Sequence, residues 1–195
     1  TSSASFLRGV VMLADLCTWA FGAVGPQNFQ TKWHVGRPRP EEVVWKIYNG
    51  ELTESDGVPS AIVTIVKTRF ELDRMQDFTA YSEGSPDHPS FPAMHSASSA
   101  ASIWLAVVLD LTHEQWCEVK AVDYAVAYGR TVAGVHYHTD NIAGLNLGQE
   151  ILARLMPDHF AAKYGSDPDA VRAKIQKLRF DWNDYLTSDC FDDDE

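Results

Sequence analysis

Apolar residues recur at helical spacing along most of this chain. Between Phe6 and Val24 they fall at Leu7, Val10, Val11, Leu13, Ala14, Cys17, Ala20 and Phe21, which predicts a helix that Gly25-Pro26 should stop. Gln27 to Pro40 reads as a connector, and Glu41 to Tyr48 as a short helix closed by the turn dipeptide Asn49-Gly50. Ser60 to Met75 predicts an amphipathic helix, and Gln76 to Phe91, rich in turn formers and without a period, a long loop. Pro92 sits where a first helical residue belongs, and Ala93 to Leu109 reads as a helix whose Ala97, Ala100 and Ala101 allow close packing. Thr112 is a suitable N-cap for a helix from His113 to about Tyr128, followed by a break over Gly129 to Gly134. A helix from about Thr139 to Leu155 should end at Pro157, and a last one, opened by Asp167-Pro168, should cover Asp169 to Leu186. Strands find no period-2 run. The expectation is an all-α bundle of about six helices, with residues 1–157 as the helical core and 158–195 as a C-terminal helix and acidic tail.

Composition narrows the function classes. A chain of 195 residues with 45% apolar side chains and six Trp can bury a real core, which excludes disorder. Sixteen basic against 27 acidic residues give a formal charge of −11, unfavourable for nucleic acid but compatible with a small anion held by local charge. Cys17, Cys117 and Cys190 are too few and too scattered for a disulfide framework, and no C-x-x-C pair exists to hold zinc. Arg8 and Asp15 interrupt the apolar stretch Phe6 to Gly25, which falls short of about 20 clean residues for a span. A soluble chain without a membrane span is expected, in an extracytoplasmic or organellar setting.

The chemistry-bearing residues cluster in three segments at predicted helix edges. The first is Lys32 to Pro40, with Arg37 and Arg39 inside it; the second runs from His88 to His95; the third runs from Gly129-Arg130 through His136 to Asp140. Together they make sense as a pocket for a tetrahedral oxyanion. Arginines bind such an anion bidentately and stay charged, while Lys acts as a point charge. The helix starting near Pro92 would add free backbone N–H groups. Imidazoles can bond to a central atom or transfer protons near neutral pH, and Asp140, four residues after His136, can fix that ring's tautomer.

These three segments, in order and spacing, resemble the vanadium-dependent haloperoxidase and type 2 phosphatidic acid phosphatase superfamily. Its pattern is Lys, six residues, Arg-Pro; then Pro-Ser-Gly-His; then Ser-Arg, five residues, His, three residues, Asp. The first motif is complete at Lys32, Arg39 and Pro40, and Arg130, His136 and Asp140 fit the third, although Gly129 replaces Ser. The second keeps Pro92 and His95 but has Ala93 and Met94 for Ser-Gly. Lys32-Trp33, Arg39-Pro40-Glu41, the lead-in His88-Pro-Ser-Phe-Pro and Gly134-Val-His136-Tyr are similar to the algal and cyanobacterial bromoperoxidase branch.

The resemblance implies a haloperoxidase/acid-phosphatase-like helical fold and these roles: Lys32, Arg39, Arg130 and the Met94 backbone N–H hold a vanadate cofactor, and His136 is the metal ligand, oriented by Asp140. His95 would be the acid–base residue and His88 a tuner behind it. The implied reaction oxidises halide with hydrogen peroxide. The same set could act as a phosphomonoesterase on a small phosphate ester through a phosphohistidine, with no cofactor. Ala93 and Met94 raise a third possibility, a non-catalytic relative serving as an assembly subunit. The matched segment covers roughly 27 to 157, so a homo-oligomer, or an N-terminal half supplied by another chain, is expected to complete the bundle. A separate metal site at His136, His138 and Asp140 lacks a further strong ligand, and His34, His113 and His159 read as surface or satisfied residues.

Overall fold

A computed structural model describes residues 3–191, all helices and turns with no strand among them. Eight α-helices are present among the described residues: α1 (Ser3–Val35), α2 (Pro40–Asn49), α3 (Ser60–Arg69), α4 (Met94–Ser98), α5 (Ala101–Val108), α6 (His113–Val132), α7 (His138–Tyr164) and α8 (Pro168–Leu178). Short 3-10 turns cover Glu54–Asp56, Met75–Phe78 and Trp182–Thr187. The acidic run 192–195 lies outside the described residues. The class is the expected one; the differences lie where helices stop.

Gly25-Pro26 does not end α1, which continues to Val35. Pro26 and Gly22, four residues earlier, are both exposed, so the Gly22 carbonyl left without its N–H partner faces water. Continuous from end to end, α1 is long and apolar enough to cross a membrane by length and composition alone, although Leu16, Ala20 and Val24 are buried in the core. Pro157 likewise fails to stop α7, which passes through it between the buried Met156 and Phe160.

The helix expected over 93 to 109 is two helices. Asp123, buried on α6, accepts the N–H groups of Ala101 (3.1 Å) and Ser102 (2.9 Å) and so starts α5 afresh. Pro92 stands outside α4, after a cis peptide bond, with Ala93 as the N-cap. The helix from Ser60 ends at Arg69, and α6 runs past Gly129 to Val132. The turn then falls at Gly134, whose φ of +75° suits glycine. The segment expected to be one last helix divides into α8 and the 182–187 turn.

The core joins Leu16 and Val24 of α1, Ala97 of α4, Ile103 and Trp104 of α5, Leu152 and Phe160 of α7, and Val171 and Ile175 of α8, so the C-terminal helix packs into the same core as the rest. Trp104 is a core residue, whereas Trp33 is exposed. A smaller cluster of Ala127, Leu145, Trp182 and Tyr185 packs the C-terminal segment on α6 and α7. Cys117 on α6 is bonded to Cys190 in that segment, a disulfide the scatter of the three cysteines did not predict. On α8 a solvated basic face is present, with Arg172 paired to Asp158 and Asp169 and Lys174 to Asp110.

Helix α7 is the central element, touching α1, α4, α5, α6 and α8. Its tightest contact is with α4, where Gly144 and Gly148 lie directly against the carbonyls of Ala93 and Ala97. A Cβ at either position would fall far inside van der Waals contact with backbone that cannot give way. Gly148→Ala is therefore expected to destabilise the fold by about 1–3 kcal/mol in urea unfolding. Gly22→Ala, on the exposed face of α1 with nothing near its new methyl, should be neutral or mildly stabilising.

Candidate anion-binding site

Because α1 does not stop at Pro26, its last turn carries Lys32 into the interior, where the side chain is fully buried. Its ammonium donates to the carbonyls of Pro89 (2.9 Å) and Ser90 (3.0 Å). Ser90 in turn gives its N–H to the Arg37 carbonyl (2.9 Å) and its hydroxyl to the Pro38 carbonyl (3.1 Å). The first two segments are thus bound along their length. One turn before Lys32, the side-chain amide of Asn28 is buried with no hydrogen-bond partner.

Arg39, at the N-cap of α2, ties in the third segment. Nε donates to the His88 carbonyl (2.9 Å) and Nη1 to the Val135 carbonyl (2.8 Å). Nη1 also lies 3.0 Å from His136 Nε2, and Nη2 lies 3.1 Å from His88 Nδ1. Arg130, in the last turn of α6, donates to the Tyr81 hydroxyl at 2.6 Å, its guanidinium 5.3 Å from the centre of that ring. Its Nε is buried and has no partner.

His136 Nδ1 lies 3.2 Å from Asp140 Oδ2. This pairing is not the helical one that four-residue spacing suggested: His136 precedes α7, and Asp140 reaches back while also accepting the Tyr137 N–H (3.0 Å) that caps the helix. The other carboxylate oxygen takes Arg37 Nη1 at 2.7 Å, with the Arg37 guanidinium resting on the Tyr137 ring. The Asp140 carbonyl accepts the Ala93 N–H (2.9 Å), linking the third segment to the second. His95, second residue of α4, keeps an exposed edge.

Electrostatics follow from this crowding. Burial, reinforced by Arg39, brings the Lys32 ammonium down to about 7, against a partial opposing pull from Asp140. Burial also lowers Arg39, with Asp140 and Glu41 opposing and Arg130 adding repulsion. His136 is held at about 4, by burial first and then by Arg39 and Lys32, although its bond to Asp140 favours the charged form. Burial would raise Asp140, but the hydrogen bond to His136, the Tyr137 N–H and Arg37 outweigh it and leave the carboxylate ionised. His95 is lowered by desolvation and then by the charges of Arg130, Arg39, Lys32 and His88. At neutral pH His136 is thus an uncharged ring whose Nδ1–H faces Asp140 and whose Nε2 lone pair faces cations.

Direct contacts thus bring Lys32, Arg39, His88, His136 and Asp140 into one place, and the charges of Arg130, Arg39 and Lys32 are felt at His95. The two substituted positions behave differently from expectation. Met94 is buried, and its methyl end points toward Gly25 of α1, so its bulk is taken up by a gap between helices. Ser96, three residues after Ala93, donates its hydroxyl to Asn141 Oδ1 (3.2 Å) and so does not replace the hydroxyl missing at Ala93. Ser98 and Ser99 spend theirs on the carbonyls of His95 and Ser96. The free N–H groups expected at this helix start belong to five residues, not to a helix reaching Leu109. His138 is exposed and takes no part, and His159 stacks on Trp19. The contributions of Arg37 and Tyr81 had no sequence signal beyond their segments; Tyr81 comes from the loop that showed no period at all.

The PAP2 superfamily profile matches residues 9–164, and the chain belongs to that superfamily. A vanadium-dependent bromoperoxidase of Ascophyllum nodosum is 30% identical over 104 residues, an alignment covering 40% of this chain and 19% of that protein. No solved structure matches significantly.

A buried ammonium held near 7 has a measurable sign. Between about 7 and the ordinary 10.5, unfolded Lys32 holds a proton that the folded chain lacks, so anion-free stability should rise with pH across that window. Lys32→Met should flatten this rise and leave the chain more stable than wild type at pH 6, as chemical unfolding at a series of pH values would show.

Proposed function

We propose that this chain binds vanadate at the cation cluster and oxidises halide with hydrogen peroxide. The observation that carries this reading is the neutral His136, pinned by Asp140 so that Nε2 points into a set of buried cations with one buried carboxylate at their centre. Burying Lys32 and Arg39 together beside the half-buried Arg130 is costly unless an anion offsets them, and the unpaired Arg130 Nε is a donor awaiting one. The donor set suits a tetrahedral oxyanion: two guanidinium forks, an ammonium and an imidazole lone pair.

In this reading Lys32, Arg39 and Arg130 hold the anion's oxygens and His136 Nε2 is the ligand to vanadium. For that, Arg39 exchanges its present contact with Nε2 for one with the anion. Vanadate, when bound, supplies a Lewis acid that makes peroxide electrophilic toward halide. Asp140 keeps the Nδ1 proton in place, and Arg37 keeps Asp140 aimed. His95, lowered and with an open edge, takes and returns protons at the mouth. His88 holds Arg39 from behind, and its presence beside the cations, together with the bromoperoxidase relative, favours haloperoxidase chemistry. The competing reading is a phosphomonoesterase in which the same Nε2 attacks phosphorus and His95 protonates the leaving oxygen, needing no cofactor. Its support is that phosphate and vanadate share shape and charge.

The test compares bromination of an indicator dye, with peroxide and added vanadate, against hydrolysis of p-nitrophenyl phosphate. Halide-dependent bromination is expected; vanadate-inhibited hydrolysis without bromination would replace this reading with the second. If neither anion raises the melting temperature, the non-catalytic reading prevails. His136→Ala should lose bound vanadium, and unchanged vanadium content would remove it as the ligand. Ala93→Ser with Met94→Gly is expected to tighten vanadate binding about tenfold or more, the worth of one charge-assisted hydrogen bond.

A further inference from the structure

On the opposite flank of α6 from Arg130, four ligand-type side chains converge. His113 and Cys117 lie four residues apart on the first turns of α6, and Asp189 and Cys190 follow one another after the 182–187 turn. One ligand atom from each falls within 4.8 Å of all the others. His113 Nε2 lies 3.6 Å from Cys117 Sγ and 3.2 Å from Asp189 Oδ2. In a tetrahedral zinc site with ordinary bond lengths, the nitrogen–sulfur edge is about 3.6 Å and the nitrogen–oxygen edge about 3.4 Å. Two edges of such a tetrahedron are already in place. The other ligand atoms lie within 4.8 Å of one another, and the sulfur–sulfur edge is short because Cys117 and Cys190 are joined by a covalent bond.

We propose that the reduced chain binds one zinc ion between His113, Cys117, Asp189 and Cys190, and that oxidation of the two thiolates to the disulfide expels it. Two thiolates, an imidazole and a carboxylate make a closed shell of four, the kind that serves a structural ion. His113 and Asp189 are largely exposed, so the ion can enter and leave without opening the core. The shell ties the C-terminal segment to α6 in either state, by the metal or by the sulfur–sulfur bond. Reduction and metal loading therefore exchange one tether for another.

The exchange balances with hydrogen peroxide as oxidant. One thiolate attacks a peroxide oxygen, breaking the O–O bond and leaving a sulfenic acid and, after protonation, water. The second thiolate attacks that sulfur, forming the disulfide and releasing hydroxide, which is protonated to a second water. Two electrons pass from the sulfurs to the peroxide, and zinc leaves because no thiolate remains to hold it. This site shares no residue with the anion cluster, so the proposal stands apart from the function assigned there.

The test uses the whole chain, reduced with a phosphine under anaerobic conditions, stripped with a chelating resin, and titrated with zinc against a chromophoric chelator. One zinc per chain is expected, with both thiols of the pair consumed and the zinc released when peroxide is added. His113→Ala with Asp189→Ala should weaken zinc by about 100-fold or more while leaving disulfide formation intact, since neither side chain is needed for the S–S bond. No zinc uptake by reduced, folded protein, wild-type affinity in the double variant, or zinc retained after the thiols are consumed would each overturn the proposal. Where reduction itself unfolds the chain, followed by circular dichroism, zinc is expected to restore the fold, and failure to do so overturns it equally.

Discussion

The carboxylate of Asp140 is the constraint on which the rest of the site depends. It caps α7 through the Tyr137 N–H, meets His136 with one oxygen and Arg37 with the other, and its own carbonyl holds the start of α4 through Ala93. A single residue thus sets where the central helix begins, how the imidazole is turned and where the alanine-rich helix stands. It and the buried Glu41 are the carboxylates that pull on Arg39, against the cations Lys32, Arg37, Arg39 and Arg130. The imbalance is not an accident of packing, since Lys32 reaches its position by an uninterrupted helix and Arg39 is fixed by four separate contacts. A fold that keeps such a deficit of negative charge inside, while carrying a formal −11 overall, has separated its local field from its global one.

Support for this arrangement comes from backbone contact as much as from side chains. Lys32 and Arg39 spend most of their donors on carbonyls of the 88–90 stretch and of Val135. Those carbonyls hold the cations' geometry, because peptide groups in a packed interior cannot reorient as water does. Beneath them, Gly144 and Gly148 let α4 lie against α7 at a separation no larger side chain would permit. His95 and His136 share one site because two helices meet backbone to backbone.

The helical class was legible in the apolar periodicity, and the approach of Arg39 to His136 in the order and spacing of the motifs. Helix ends were less so. Pro26 and Pro157 look like stops, but an exposed carbonyl tolerates the first and core packing surrounds the second. The break between α4 and α5 depends on Asp123, more than twenty positions away, which no local rule can see. Asp140 was placed correctly beside His136 for the wrong geometric reason, the ring lying before the helix and not on it. The pairing of Cys117 with Cys190 depended on a contact across 73 positions that composition could not reveal.

The contact between Arg39 Nη1 and His136 Nε2 carries one more implication. An imidazole with a bare lone pair is open to attack by stray electrophiles. Here the guanidinium sits over that atom like a cap until something anionic draws it aside. Under the proposed function that nitrogen is masked until an anion binds, a form of self-protection that requires no moving loop.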